Sequence, residues 1–448
     1  MKKKRSRNKV LICTFLSVFL LYPYLFFTGS EGSVHDRAGA LYSTASYISS
    51  PIEVTENAQG RIDRMVSRFM EREEMHGLSL AFAKDGKVVY SRAFGVVDTI
   101  SNDSVNTSTL FRIASVSKLV TAVGVGRLCD EKKISLDQKV FGDKGIINDT
   151  TYMPYKDKLL DKVTVRNLLE HSGGWTQRYG DPMFNTMSVA KKVGASSPCD
   201  ADAMLKYITS RRLHFTPGSR CCYSNLGYFI LGQVIEKVSG MSYEEYINKY
   251  ILYPSGILDM KIGNSFADLR FENETNYYEP EGSFEVMAYD GSNKLVYKSN
   301  GGNNIPLLSS AGGWVSSPTD LLLLSLSIDG DDNYPDIISN SFIKKMASPR
   351  RGFDPLGWRG IDYSGNLFRT GSMPGTQALL KQQKNGISYA IVTNTNSWKG
   401  PRFSQSLGSL MTSLERKLNL SDGPTTPHVE KTKKRKVKKK SKPQTFYF

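Results

Sequence analysis

Two tight turns, Asp85-Gly86 near one end of the chain and Asn385-Gly386 near the other, each lie between runs of apolar residues. Such pairs are the strongest short-range signal for a β-hairpin, because both residues tolerate the positive φ that a two-residue hairpin turn demands. Residues 78–97 therefore read as the first two strands, and residues 378–383 with 387–393 as a late pair. Residues 62–75 carry Ile62, Met65, Val66, Phe69 and Met70 at the spacing of an amphipathic helix packed on a sheet. Residues 403–418 read as a final helix. Strands and helices supplied by both ends point to one mixed sheet spanning the length of the chain. The helices between would form a second lobe, and pockets favour the junction between lobes.

Three further segments carry chemistry. Ser115-Val116-Ser117-Lys118 precedes the apolar stretch 119–123. On a helix, residues three apart share a face at roughly 5–6 Å between Cβ atoms, so the Lys118 amine can reach the Ser115 hydroxyl. A lysine in a dry pocket can lose enough basicity to take that proton. The second segment is a Pro217-Gly218 turn leading through Cys221-Cys222 to Tyr223-Ser224-Asn225. Leu226, Phe229, Ile230, Leu231, Val234 and Ile235 follow at helical spacing. Tyr223 and Asn225 thus sit at the mouth of a helix. In the third segment, Arg369-Thr370-Gly371-Ser372 lies on or beside the strand before the late hairpin, where Gly371 permits close approach of a substrate backbone.

In this order the three pieces resemble the serine β-lactamase and penicillin-binding-protein superfamily, in particular its class C-like β-lactamase-related serine hydrolases. The resemblance runs from about Ile62 to Leu418 and includes Phe111-Arg112-Ile113-Ala114, the run ending Glu170-His171-Ser172-Gly173-Gly174, and Ser310-Ala311-Gly312-Gly313-Trp314. It implies an α/β (α+β) fold of the β-lactamase/transpeptidase type: a mixed antiparallel sheet flanked by helices, with a mainly helical lobe. It also implies that Ser115 attacks an acyl carbonyl while Lys118 and Tyr223 move the proton. Asn225 would hold the Lys118 amine and a substrate amide, and the backbone N–H groups of Ser115 and Ser372 would hold the oxyanion. Thr370 and Arg369 would receive a substrate carboxylate. Arginine stands where this family usually has lysine or histidine; it keeps the charge but is planar and does not share a proton at ordinary pH. No cofactor or metal is implied. A D-alanyl peptide, a β-lactam, a small ester or a D-amino-acid amide all fit, and so does a non-catalytic or weakly catalytic penicillin-binding-like envelope protein.

The net charge of +16 is concentrated at the ends: six basic residues lie within 1–9 and nine within 431–442, which leaves the rest near +1. That distribution argues against a nucleic-acid surface on the body. Residues 10–27 are apolar apart from Thr14, Ser17 and Pro23, so an uncleaved anchor and a cleaved export signal both fit. The expected organisation is a basic end with a signal or anchor at 1–27, a linker at 28–55, the hydrolase domain at 56–420 and a disordered basic tail at 421–448. The partners expected are a small-molecule or peptide acyl substrate, a membrane through residues 10–27 and an anionic envelope surface through residues 431–442. Beyond Cys13 lie Cys129, Cys199, Cys221 and Cys222, and an oxidising compartment permits a bond without showing one. Adjacent Cys221 and Cys222 point opposite ways in an extended segment, so at most one would reach Cys199.

Overall fold

The computed structural model describes residues 52–421. The signal or anchor at 10–27, the linker as far as residue 51 and the lysine block at 431–442 lie outside the described residues. Among the described residues no helix is long and apolar enough to cross a membrane.

Helix α1 (Glu56–Arg72) starts earlier than apolar spacing alone implies, because the Thr55 hydroxyl accepts from the Ala58 N–H and caps it. Strands β1 (Gly77–Lys84) and β2 (Lys87–Gly95) turn about Asp85 and Gly86, with φ of 49° and 76°. There follow β3 (Phe111–Arg112), a 3₁₀ turn at Ala114–Val116 and α2 (Ser117–Asp130). The helical lobe continues with α3 (Val165–Leu169), α4 (Thr186–Val193), α5 (Ala201–Thr209), α6 (Asn225–Ser239) and α7 (Tyr243–Ile247). Next come β4 (Lys261–Ile262), the small hairpin of β5 (Val286–Met287) and β6 (Leu295–Val296), β7 (Trp314–Ser316), α8 (Pro318–Leu326) and α9 (Asn340–Met346). The chain returns through β8 (Gly360–Ile361), β9 (Leu367–Met373), β10 (Thr376–Gln382) and β11 (Ile387–Thr393) to α10 (Pro401–Lys417).

The main sheet runs β2-β1-β11-β10-β9-β8, and every pairing in it is antiparallel. Both ends of the chain build it, since Leu78 lies opposite Thr393 and Leu80 opposite Ile391. Alternation along the strands divides their side chains between two faces. Leu80, Phe82, Tyr389 and Ile391 face one way and pack with Ile62, Phe69, Phe403 and Met411 of α1 and α10. Ala81, Ala83, Ala378 and Ala390 face the other way, and these small residues let the helical lobe close on the sheet through Leu321 and Leu324 of α8. Helix α2 runs through the middle of that second core, with apolar residues buried on all sides, which fits its lack of a polar face. Cys129, Cys199, Cys221 and Cys222 are all free thiols; the Cys221 thiol donates to the Glu170 carbonyl.

Candidate active site

The site forms where β9, the 3₁₀ turn before α2 and the mouth of α6 meet. Ser115 lies in that turn and Lys118 in the first turn of α2, so their spacing of three is served by 3₁₀ geometry, in which residues i and i+3 eclipse. Ala114, just before the serine, has φ of +47°, a left-handed value that an alanine adopts at an energetic cost. At the other side, Ser224 caps α6 by accepting from the Gly227 N–H at 3.2 Å, which fixes Tyr223 and Asn225 on either side of the cap. The Cys222 N–H donates to the His171 carbonyl at 2.7 Å and anchors the approach.

Ser115 Oγ has two polar neighbours, Lys118 Nζ at 3.1 Å and Tyr223 Oη at 2.6 Å. Lys118 is fully buried and also donates to Asn225 Oδ1 at 2.7 Å and to the Ala311 carbonyl. As a neutral amine it can satisfy those two acceptors with its two protons and present a lone pair to the serine. Burial pushes its pKa down to about 8, against the attraction of Tyr223 and Asp181 and with the help of the Arg369 charge. Burial alone would raise the Tyr223 phenol. The charges of Lys118 and Arg369, with hydrogen bonds to Lys118 and Ser115, outweigh that and bring it down to about 8. The amine is pushed down and the phenol is brought down, so both lie nearer neutral pH than a free lysine and tyrosine, which suits passing a proton between them.

Arg369 sits beneath the site with no exposed surface. Its Nε donates to the Ser115 carbonyl at 2.7 Å, and its two terminal nitrogens donate to the Trp358 carbonyl and to Tyr223 Oη, each at 3.2 Å. The carboxylate-receiving role expected of it finds no support in this placement, because the guanidinium is turned inward. Thr370 differs from expectation too. It pairs in register with Leu379, whose side chain belongs to the core under α1 and α10, and it does not border the cavity. Gly371 is needed for close approach, but of the protein's own backbone. A Cβ there would lie 2.1 Å from the Ile113 carbonyl oxygen and 3.0 Å from the Ser115 nitrogen.

The open cavity above these groups measures about 210 Å³ and is bordered by Ser115, Tyr223, Asn225, Ser372, Gln177 and Phe184, among others. Sequence reasoning missed Gln177, Phe184 and Asp181, all on the segment after the Gly173-Gly174 pair, and the Ala311 carbonyl. It also left His171 without a role. The His171 ring lies 4.4 Å from that of Tyr223, and its Nδ1 accepts from the Ser224 N–H at 3.2 Å, which places its proton on Nε2. Burial, together with the Arg369, Lys118 and Arg359 charges, holds its pKa well below the usual value, so it forms a neutral floor under the phenol. Among the described residues no three His, Cys, Asp or Glu side chains are grouped to hold a metal ion.

Comparison with known proteins bears on the family and the fold. The family model described as Beta-lactamase matches residues 62–407. Penicillin-binding protein 4* of Bacillus subtilis (strain 168) is 28% identical over 209 residues, which cover 47% of this chain and 43% of that protein. Esterase EstB of Burkholderia gladioli is 26% identical over 255 residues, covering 55% of this chain and 58% of that protein. The chain therefore spans about half the length of these two curated relatives. The crystal structure of D-amino acid amidase from Ochrobactrum anthropi SV3, complexed with L-phenylalanine amide, superposes with a TM-score of 0.61 at 20% identity. That match covers 81% of this chain and 98% of the amidase chain, and it shows a shared fold.

Proposed function

This chain belongs to the beta-lactamase family, and from that premise we propose that it is a serine hydrolase that cleaves a small ester or amide through an acyl-enzyme on Ser115. The observation that carries the proposal is the placement of Ser115 Oγ between Lys118 Nζ and Tyr223 Oη. In the first half-reaction Ser115 Oγ bonds to the acyl carbon and its proton passes to the Lys118–Tyr223 pair. The backbone N–H groups of Ser115 and Ser372, two residues that border the cavity, would hold the developing oxyanion. Collapse breaks the bond to the alcohol or amine, which leaves with the proton. A water then repeats the sequence, giving up its proton to the same pair and releasing the acid and the free serine.

The cavity is smaller than the roughly 300–1,000 Å³ of sites that take drug-sized ligands, which favours a short acyl group. The test is incubation with p-nitrophenyl acetate, nitrocefin and a D-Ala-D-Ala peptide, followed by intact-mass and peptide mass spectrometry. An acetyl adduct on the peptide carrying Ser115, together with steady release of p-nitrophenol, is the expected result. No adduct with any of the three would end the hydrolase reading and leave a binding protein.

Arg369 supports the reading in a different way from a substrate fork. Its three hydrogen bonds tie Ser115 and Tyr223 to the segment before β8, and its charge helps to lower the Tyr223 pKa. Arg369→Ala is therefore expected to slow p-nitrophenyl acetate and a carboxylate-bearing substrate by similar factors, on the order of 10²-fold, with the alkaline-side pKa of Tyr223 moving up. A loss confined to the carboxylate-bearing substrate would restore the substrate-fork role. Arg369→Lys recovers little, since a single ammonium cannot span three acceptors held by a planar fork.

A further inference from the structure

One carboxylate near the nucleophile has no part in the proton transfers above. Asp181 lies on the segment after α3 and caps the short turn Pro182–Phe184, its Oδ1 accepting from the Met183 N–H at 3.0 Å. Its Oδ2 accepts from Asn225 Nδ2 at 2.6 Å and from Gln177 Nε2 at 2.7 Å. An ionised carboxylate can only accept, so each amide must turn its NH₂ group toward it. For Asn225 this leaves Oδ1 as the only atom that can face Lys118, and the 2.7 Å bond from Lys118 Nζ is made to that atom. Without the carboxylate either end of the amide could face the lysine, and an NH₂ group there would oppose the ammonium and block the base.

We propose that Asp181 is a positioning residue of the acyl-transfer reaction: it fixes the amide of Asn225 with its oxygen on Lys118 and pins the Gln177–Phe184 segment to the wall of the cavity. The inference rests on the hydrolase reading of the site for its consequence, though not for its geometry. It joins four side chains in one chain of contacts, Gln177 to Asp181 to Asn225 to Lys118, which ends at the nucleophile. It also gives the segment bearing Phe184 a fixed distance from Ser115, so the width of the cavity depends on the same carboxylate.

The charge has a second effect that a purely mechanical tether lacks. The titratable and charged groups around Lys118 are Tyr223 at the mouth of α6, Arg369 on β9 and Asp181, with neutral His171 behind the phenol. Burial lowers the lysine most, and Asp181 is among the groups that hold it up. Removing the carboxylate thus lets the Lys118 pKa fall, which moves the acidic limb of a base-dependent rate profile to lower pH while misorientation lowers the plateau.

The experiment uses the protein carrying ¹³C-labelled lysine side chains, with the Lys118 signal identified by its loss in Lys118→Arg. Lys118 stands apart because burial pushes its pKa down to about 8, below that of an ordinary lysine. In Asp181→Asn its midpoint is expected to fall by about one pH unit, the scale of one nearby charge in a partly screened site. The plateau of p-nitrophenyl acetate turnover is expected to fall at least about tenfold. Asp181→Glu, which restores the charge, returns the midpoint most of the way. Asp181→Ser keeps an acceptor for the Met183 N–H and gives the same reading if the Asn variant does not fold. A Lys118 midpoint and plateau unchanged in a folded variant would overturn the proposal. Because the titration needs no turnover, an inactive wild-type protein defeats the hydrolase reading while the position of Asp181 is still decided.

Discussion

Ser115→Ala is expected to lower turnover of an activated ester by at least about 10⁴-fold and to abolish the acyl adduct, leaving the fold and its thermal midpoint intact. The size follows from the way such sites act as a unit: when nucleophile and base work on one proton, removing either loses nearly the whole effect. Lys118→Ala removes the amine that lies 3.1 Å from Ser115 Oγ and opens a buried site, so its loss falls in the range of about 10²–10⁴ expected for a general base. The informative comparison is the double variant, because a base without a nucleophile has nothing to activate. Ser115→Ala/Lys118→Ala should be no slower than Ser115→Ala alone, measured by p-nitrophenol release against a protein-free blank. Retention of more than a tenth of wild-type activity in Ser115→Ala would place the chemistry on another group. Additive losses in the double variant would separate the two side chains functionally.

Gly371→Ala should produce a large effect for a single added methyl group. The new Cβ would sit 2.1 Å from the Ile113 carbonyl oxygen and 3.0 Å from the Ser115 nitrogen. Both are backbone atoms, so no side chain can swing aside, and β9 must separate from the nucleophile turn. Overpacking of this kind costs about 1–3 kcal/mol. The catalytic effect is greater, because Arg369 two residues earlier on the same strand holds the Ser115 carbonyl and Tyr223, and a misplacement near 1 Å can cost about 10²-fold in rate. The expected result is a thermal midpoint lowered by several degrees with turnover down at least about 10²-fold. Gly408→Ala in α10 is the control. Its Cβ would meet nothing closer than 3.6 Å, and it gains helix propensity, so stability should hold or rise with activity unchanged. Normal activity in Gly371→Ala would show that the strand and the nucleophile turn do not depend on this contact.

The features legible in the sequence were those whose physics is local. The three-residue spacing of Ser115 and Lys118, the Pro217-Gly218 turn before a helical pattern and the two hairpin turns all depend on neighbours in the chain. Each lies in the structure where those patterns indicate an element. Asp181 reaches Asn225 across 44 residues from a segment with no periodicity, and nothing in its own neighbourhood distinguishes it from any turn aspartate. The Ala311 acceptor is a backbone carbonyl and carries no side-chain signal at all. Arg369 marks a general limit: an arginine is rarely without exposed surface, so its charge suggests a ligand in sequence, whereas in the structure it is buried and donates to the Ser115 carbonyl and Tyr223. Gly371 suggests close approach of a substrate backbone, whereas the backbone that approaches it in the structure is the protein's own, at Ile113 and Ser115.

The strand order β2-β1-β11-β10-β9-β8 also bears on the moment when the chain is made. One edge of β1 finds β2 at once across a two-residue turn, whereas its other edge waits for β11, with Leu78 opposite Thr393. At about 5–20 residues per second, synthesis of the intervening chain takes roughly 15–60 s. Throughout that interval a strand that is nearly all buried in the finished fold has an unpaired row of N–H and C=O groups, the template on which strands of other chains add. Pairing of such long sequence separation is also slow to form once the chain is complete. The hazard for this protein thus lies before the sheet closes, and whatever escorts the nascent chain must cover β1 until the last strand arrives.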